Sequence, residues 1–150
     1  MEKINAVITG VGGYVPTYIL DNEEMSKIVE TSDEWIMQRI GVKTRHILKP
    51  EEGKGTSYLM TKAVKQLLDK TQVDPDSIEA LIVATTTPDY HFPSTASLVI
   101  GNLNLSNCWG FDMEAACAGF LYAMEMGANL IRSGRYKRII VGGGDHMSSM

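Results

Sequence analysis

Phe111-Asp112-Met113-Glu114-Ala115-Ala116-Cys117-Ala118-Gly119-Phe120 is the stretch on which the fold turns. It reads as the end of a buried strand, a tight bend of small residues and the start of a helix, with one thiol on the bend. A thiol beside helix N-terminal N–H groups meets partial positive charge, which favours the thiolate. The thiolate is the nucleophilic form, and a thioester is its natural covalent product. Ala115, Ala116, Ala118 and Gly119 leave room beside the sulfur for a substrate. The competing reading is a small buried apolar residue, which is what most cysteines are. The pattern alone leaves both open.

Outward from the bend, residues 108–113 form the strand that leads into it, with Cys108 as inert core filler. Beyond it, Phe120, Met124, Gly127, Ala128 and Ile131 trace a helical stripe, and the small residues Gly119, Ala123, Gly127 and Ala128 permit close approach. Gly134 is placed to stop that helix. Residues 137–141 read as another buried strand, followed by Gly142-Gly143-Gly144-Asp145-His146. Upstream, residues 78–85 (IEALIVAT) are a continuous apolar run of strand length, as in a sheet covered on both faces. The polar loop after it, residues 86–94, is where α/β folds put function. Phe92 in that loop packs locally or covers a pocket. Residues 95–103 are a helix with Ala96, Val99, Ile100 and Leu103 inward.

Towards the N-terminus, residues 4–11 (INAVITGV) predict a first strand. Gly10, Gly12 and Gly13 follow; without a third spaced glycine or a Lys-Ser/Thr pair, close backbone packing ranks above phosphate binding. Asp21 with Glu24, and Thr31 with Glu34, predict capping boxes for two short helices, the first with Met25, Ile28 and Val29 as its apolar face. Thr31, Trp35 and Arg39 recur at i, i+4 and i+8, roughly one helical face. A nucleotide-bearing cofactor would suit such a face; otherwise Thr31 caps, Trp35 is core and Arg39 is solvated, and spacing alone favours that second reading. Gly41 ends the helix. Residues 42–47 alternate like an edge strand, with His46 at the surface. Glu51-Glu52-Gly53-Lys54-Gly55 is a polar loop, and Thr56 or Ser57 caps a helix with Leu59, Met60, Ala63, Val64, Leu67 and Leu68 on one face. Asp74-Pro75-Asp76-Ser77 is a turn. Strands alternating with helices predict an α/β fold with a mainly parallel sheet and helices on both faces.

Composition narrows the function. The 150 residues are 44% hydrophobic and 21% charged, which suits one packed domain. A net charge of −4 with no basic block argues against nucleic acid. No apolar run nears the roughly 20 residues of a membrane span, and no secretory signal opens the chain. Two cysteines make neither a disulfide framework nor a metal cluster, so no metal is expected and a reduced, cytoplasmic setting fits.

Residues 110–120 (GFDMEAACAGF) resemble the nucleophile segment of the β-ketoacyl-acyl-carrier-protein synthase III family. Three further stretches agree with it, in the same order. They are Gly10-Val11-Gly12-Gly13-Tyr14-Val15-Pro16, the run from Thr31 through Trp35 and Arg39 to Arg45, and His91-Phe92-Pro93-Ser94. The resemblance implies a three-layer αβα thiolase-like half with a mainly parallel mixed sheet. It makes residues 1–150 the N-terminal domain of a two-half enzyme, whose catalytic His and Asn are expected beyond Met150. None of His46, His91 and His146 matches a catalytic position. It implies that Cys117 takes an acyl group from a short acyl-coenzyme A and passes it to malonyl-acyl-carrier protein with loss of carbon dioxide, initiating fatty-acid synthesis. It puts Trp35 and Arg39 at coenzyme A-binding positions with Thr31 beside them, and sends Phe92 towards the acyl pocket of a homodimer partner. No resident cofactor is implied, coenzyme A thioester being a substrate. Residues 1–150 alone are expected not to turn over. Two other readings stand beside this one: a non-catalytic coenzyme A-binding or dimerising module, and a thiolase-fold enzyme condensing other acyl thioesters.

Overall fold

The computed structural model describes residues 4–49 and 54–149. By contacts these fall into two compact units, residues 4–14 with 54–147, and residues 15–49 with 148–149. The expected polar loop lies outside the described residues at positions 51–53.

The larger unit is built on three parallel strands, β3 (Ala80–Ala84), β4 (Trp109–Met113) and β5 (Ile139–Gly143), with β3 in the centre. Ala80 pairs with Trp109 on one side and Ile139 on the other. Every residue of β3 is buried, as its unbroken apolar run requires when both faces are covered. Leu81 and Val83 join Ile140 beneath α3 (Thr56–Thr71) and α4 (Thr95–Leu103), packed with Met60, Val64, Ala96 and Val99. Ile82 and Ala84 face the other way, onto Ala123 of α5 (Gly119–Arg132). Period-two alternation along one strand thus feeds two cores, and the unit is the predicted α/β/α sandwich.

The smaller unit holds a two-stranded antiparallel ribbon, β1 (Tyr18–Asp21) and β2 (Thr44–Ile47), with Tyr18 opposite Ile47. Two short helices, α1 (Asn22–Ser26) and α2 (Asp33–Arg39), lie between them in sequence. Buried Asn22 ties these pieces together, donating to Asp33 Oδ1 at 2.7 Å and to Val42 O at 3.0 Å and accepting from Arg45. Asp21 caps α1 as expected, its Oδ1 accepting from Glu24 N–H at 2.8 Å. Gly41 adopts φ +75°, the left-handed conformation that lets the chain leave α2.

Several expectations are corrected. Residues 4–11 are not a strand. They lie beside α3, with residues 6–10 and β5 lining one apolar cavity of about 370 Å³, and among the described residues no strand pairs with them, so a β-favouring sequence is left without a ladder. The strand expected at residues 137–141 begins two residues later, because the N–H groups of Lys137 and Arg138 donate to Glu79 Oε2 instead of entering the ladder. Thr31 does not cap α2; Ser32 does, accepting from Trp35 N–H at 3.1 Å. Neither Thr56 nor Ser57 caps α3, whose Ser57 N–H donates to the Asp89 carboxylate at 2.7 Å. On α5 the small residues Gly119, Ala123 and Gly127 are buried as expected, but Phe120, at the head of the expected stripe, is exposed. Ile28 and Val29 fall beyond α1 and are exposed.

Candidate active site around Cys117

The chain leaves β4 at Met113, where the Thr85 N–H donates to Met113 O at 3.1 Å, one rung past the paired residues. Three residues later it enters a single 3-10 turn, Ala116–Ala118, that leads directly into α5. Ala116 holds φ +44°. A residue with a Cβ in that region costs on the order of 1–3 kcal/mol, which the surrounding structure must over-determine. The result is a sharp elbow with Cys117 exposed on it.

The elbow's own bonds run from Ala118 N–H to Ala115 O and from Gly119 N–H to Ala116 O. The Cys117 N–H takes part in neither. At the start of α5 no side chain caps the helix, and its first turn carries no acidic residue. No carboxylate in that turn therefore offsets the positive end of the helix dipole, and the Cys117 N–H stays outside the elbow's own bonds. Such a donor suits negative charge developing on an acyl oxygen during attack by a thiolate. Gly119 is buried on β3, where a Cβ would stand 3.1 Å from that of Ala84, so the elbow is seated on the central strand.

Cys108 makes the contrast. It is half-buried, and burial pushes its thiol up to about 11. At neutral pH it is a protonated, unreactive filler, as its place in the sequence predicts.

Trp35 and Arg39 belong to the other unit. The structure brings them together, with the Arg39 guanidinium carbon 5.9 Å from the Trp35 ring centroid. Trp35 is 53% exposed, so it is no core residue. An exposed indole with a cation beside it can stack on a flat base and meet phosphate. Thr31 precedes the helix, and its hydroxyl is buried without a hydrogen-bond partner among the described residues. Phe92, on the loop after β3, is 90% exposed. His46 is exposed, with Nδ1 2.6 Å from Pro16 O. His146 is buried, its N–H donating to Thr87 Oγ1 at 2.8 Å.

Sequence reasoning gave no role to Asp145. Its Oδ1 accepts from Thr85 Oγ1 at 3.0 Å, Thr86 N–H at 2.7 Å, Thr86 Oγ1 at 3.1 Å and Thr87 Oγ1 at 3.2 Å. Partial burial would raise its carboxyl, but the Thr86 N–H and the three hydroxyls outweigh that and hold it below its ordinary value. The available signal was three threonines after a buried strand and a carboxylate after three glycines, both at the C-terminal ends of parallel strands.

Comparison with known proteins finds relatives in both sequence and fold. Residues 111–150, which contain the elbow, match the family model described as 3-oxoacyl-[acyl-carrier-protein (ACP)] synthase III. The whole chain is 69% identical to β-ketoacyl-[acyl-carrier-protein] synthase III 2 of Bacteroides thetaiotaomicron, covering 44% of that protein. It is 67% identical over its whole length to β-ketoacyl-[acyl-carrier-protein] synthase III of Phocaeicola vulgatus, covering 45%. The crystal structure of 3-oxoacyl-[acyl-carrier-protein] synthase III from Aquifex aeolicus superposes with a TM-score of 0.88 at 39% identity, over 98% of this chain and 46% of that one. The chain thus spans somewhat less than half the length of these curated relatives. In sequence along its whole length, and in fold, it is similar to a little less than half the length of the β-ketoacyl-acyl-carrier-protein synthase III proteins.

Proposed function

We propose that Cys117 is the acyl-carrying nucleophile of a β-ketoacyl-acyl-carrier-protein synthase III. The observation that carries this reading is the exposed thiol on a strained elbow at the uncapped N-terminus of α5. In the first half-reaction the Cys117 thiolate attacks the carbonyl carbon of a short acyl-coenzyme A. A carbon–sulfur bond forms, the Cys117 N–H stabilises the oxyanion, and coenzyme A leaves as its thiolate. In the second, malonyl-acyl-carrier protein loses carbon dioxide, and the resulting carbanion attacks the Cys117 thioester and releases the sulfur. The His and Asn that would assist this step are not among residues 1–150, so these residues acylate without condensing. Trp35 stacks on the adenine of coenzyme A and Arg39 meets its phosphates, with Thr31 alongside. Coenzyme A is substrate here and not a resident cofactor. The working enzyme is a cytoplasmic homodimer in which Phe92 reaches the partner's acyl pocket. Among the described residues, no helix is long and apolar enough to cross a membrane.

Incubation with acetyl-coenzyme A followed by intact and peptide mass spectrometry tests this. One acetyl group is expected, on Cys117, absent from Cys117→Ala, with Trp35→Ala requiring more thioester for the same labelling. Labelling at Cys108, or none at all, defeats the reading.

A further inference from the structure

Thr85, Thr86 and Thr87 follow the central strand, and Asp145 follows β5. Four donors from these three threonines converge on one oxygen of Asp145. The network extends further. The Thr87 N–H donates to Thr85 Oγ1 at 3.1 Å, and Thr87 Oγ1 lies 3.1 Å from Thr56 Oγ1 at the start of α3. Thr56 and Thr85 are almost fully buried. Gly144 N–H donates to Ala84 O at 3.1 Å, which draws the segment after β5 onto the end of β3.

The same residues reach the elbow. Thr85, whose hydroxyl is fixed by Asp145, gives its backbone N–H to Met113, four residues before Cys117. Ala84, which accepts from Gly144, is the residue on which Gly119 sits. Asp145 is thus one residue from Thr85 and Thr85 one backbone bond from the elbow's root. A carboxylate is suited to this: a single oxygen accepts from several hydroxyls and an N–H at once, and charge strengthens each bond. Threonine is suited too, being stiff at χ1.

We infer that Asp145 is a positioning residue for Cys117, clamping the loop after β3 to the segment after β5 and thereby fixing the floor on which the elbow rests. This rests on Cys117 being the nucleophile. Without the clamp the three threonines lose their common acceptor, the end of β3 is free to shift, and Cys117 is no longer held in attacking geometry. Thioester recognition by Trp35 and Arg39 is untouched.

Single-turnover acylation of Cys117 by acetyl-coenzyme A tests the inference in wild-type protein, Asp145→Ala and Asp145→Asn. The alanine variant is expected to lose about tenfold in maximal rate with half-saturation unchanged, since small misplacements cost that much or more. The asparagine variant, which keeps an acceptor oxygen, should recover a large part of it. Glu79→Gln, which removes a carboxylate just before β3 and β5, at the far end of the sheet from the elbow, serves as the destabilised control with the clamp intact and an unchanged rate. Asp145→Ala acylating at the wild-type rate overturns the inference, and so does a loss equalled by the control. If Asp145→Ala does not fold, Thr87→Val, which removes one arm of the clamp, must give the same split. Iodoacetamide needs no recognition of coenzyme A and separates the two readings. Wild-type protein alkylated at Cys117 but never acylated defeats the functional reading. Slower alkylation in Asp145→Ala then still upholds positioning, and equal alkylation defeats it.

Discussion

At the scale of single residues, carboxylates recur as acceptors for backbone N–H groups that the regular elements leave over. Asp112 accepts from Thr95 and Ala96 at the start of α4 at 2.6 and 2.8 Å. Asp89 serves the start of α3, Asp145 the Thr86 N–H, and Glu79 the approach to β5. Each relieves groups that would otherwise be unsatisfied. For Glu79 the N–H groups of Lys137 and then Arg138 hold the carboxyl below its usual value. A group depressed in the folded state stabilises fully above its unfolded value, about 4.3 for glutamate, and loses that contribution as pH falls through the lower folded value. Glu79→Gln is therefore expected to melt below wild type at neutral pH, with the gap closing in thermal scans as pH falls below the ordinary glutamate value. A gap independent of pH rules this account out. The elbow that carries Cys117 was legible in the sequence because its cues are local: a strand end, small residues and a helix start within ten positions. Asp145 and Glu79 were not, because their partners lie 58 to 60 residues away. No local pattern encodes such a bond.

Elements were legible where burial is two-sided or the helix is long. The run in β3 and the stripe of α3 both declare themselves by period. β1 escaped notice because it is a four-residue strand whose partner is 23 to 29 residues on. Residues 4–11 misled because an apolar run with β-branching reports what a segment favours, whereas a strand also needs a neighbour. Helix α5 packs through the small residues that its sequence offers for close approach. Gly119, Ala123 and Gly127 lie four apart, and this small-residue row faces the sheet. At Gly127 a Cβ would stand 2.9 Å from Val141 Cγ1, so the helix approaches β5 more closely than a larger residue permits. Gly127→Leu gains helix propensity worth about 1 kcal/mol. Overpacking costs typically 1–3 kcal/mol, and the collision here is with the sheet itself. The net change is expected to be a loss of about 1 kcal/mol or more in urea unfolding, at an unchanged slope. A gain in stability contradicts the close packing described for this face.

At the scale of the larger unit, the sandwich is covered unevenly. α3 and α4 roof one face of β3 and α5 the other, yet between residues 6–10 and the free edge of β5 there remains the apolar cavity, walled by Leu67, Met124, Ala128 and Ile131. Val7 and Ile8 beside it are more than 70% exposed. The layers account for the seating of the Cys117 elbow, since it grows from β4 and rests on β3, whereas the cavity lies at the β5 side and plays no part in it. That separation has a measurable consequence. Apolar surface of this kind takes up an amphiphilic dye even when the surrounding fold is intact. The folded chain is expected to enhance the fluorescence of 1-anilinonaphthalene-8-sulfonate. Ala128→Arg, which puts a charge on the cavity wall, should remove most of that enhancement while leaving Cys117 alkylation by iodoacetamide unchanged. Dye binding indifferent to Ala128→Arg means that the apolar surface lies elsewhere. A parallel fall in alkylation means that cavity and elbow are coupled through α5, which carries Ala128 at one end and follows Cys117 at the other.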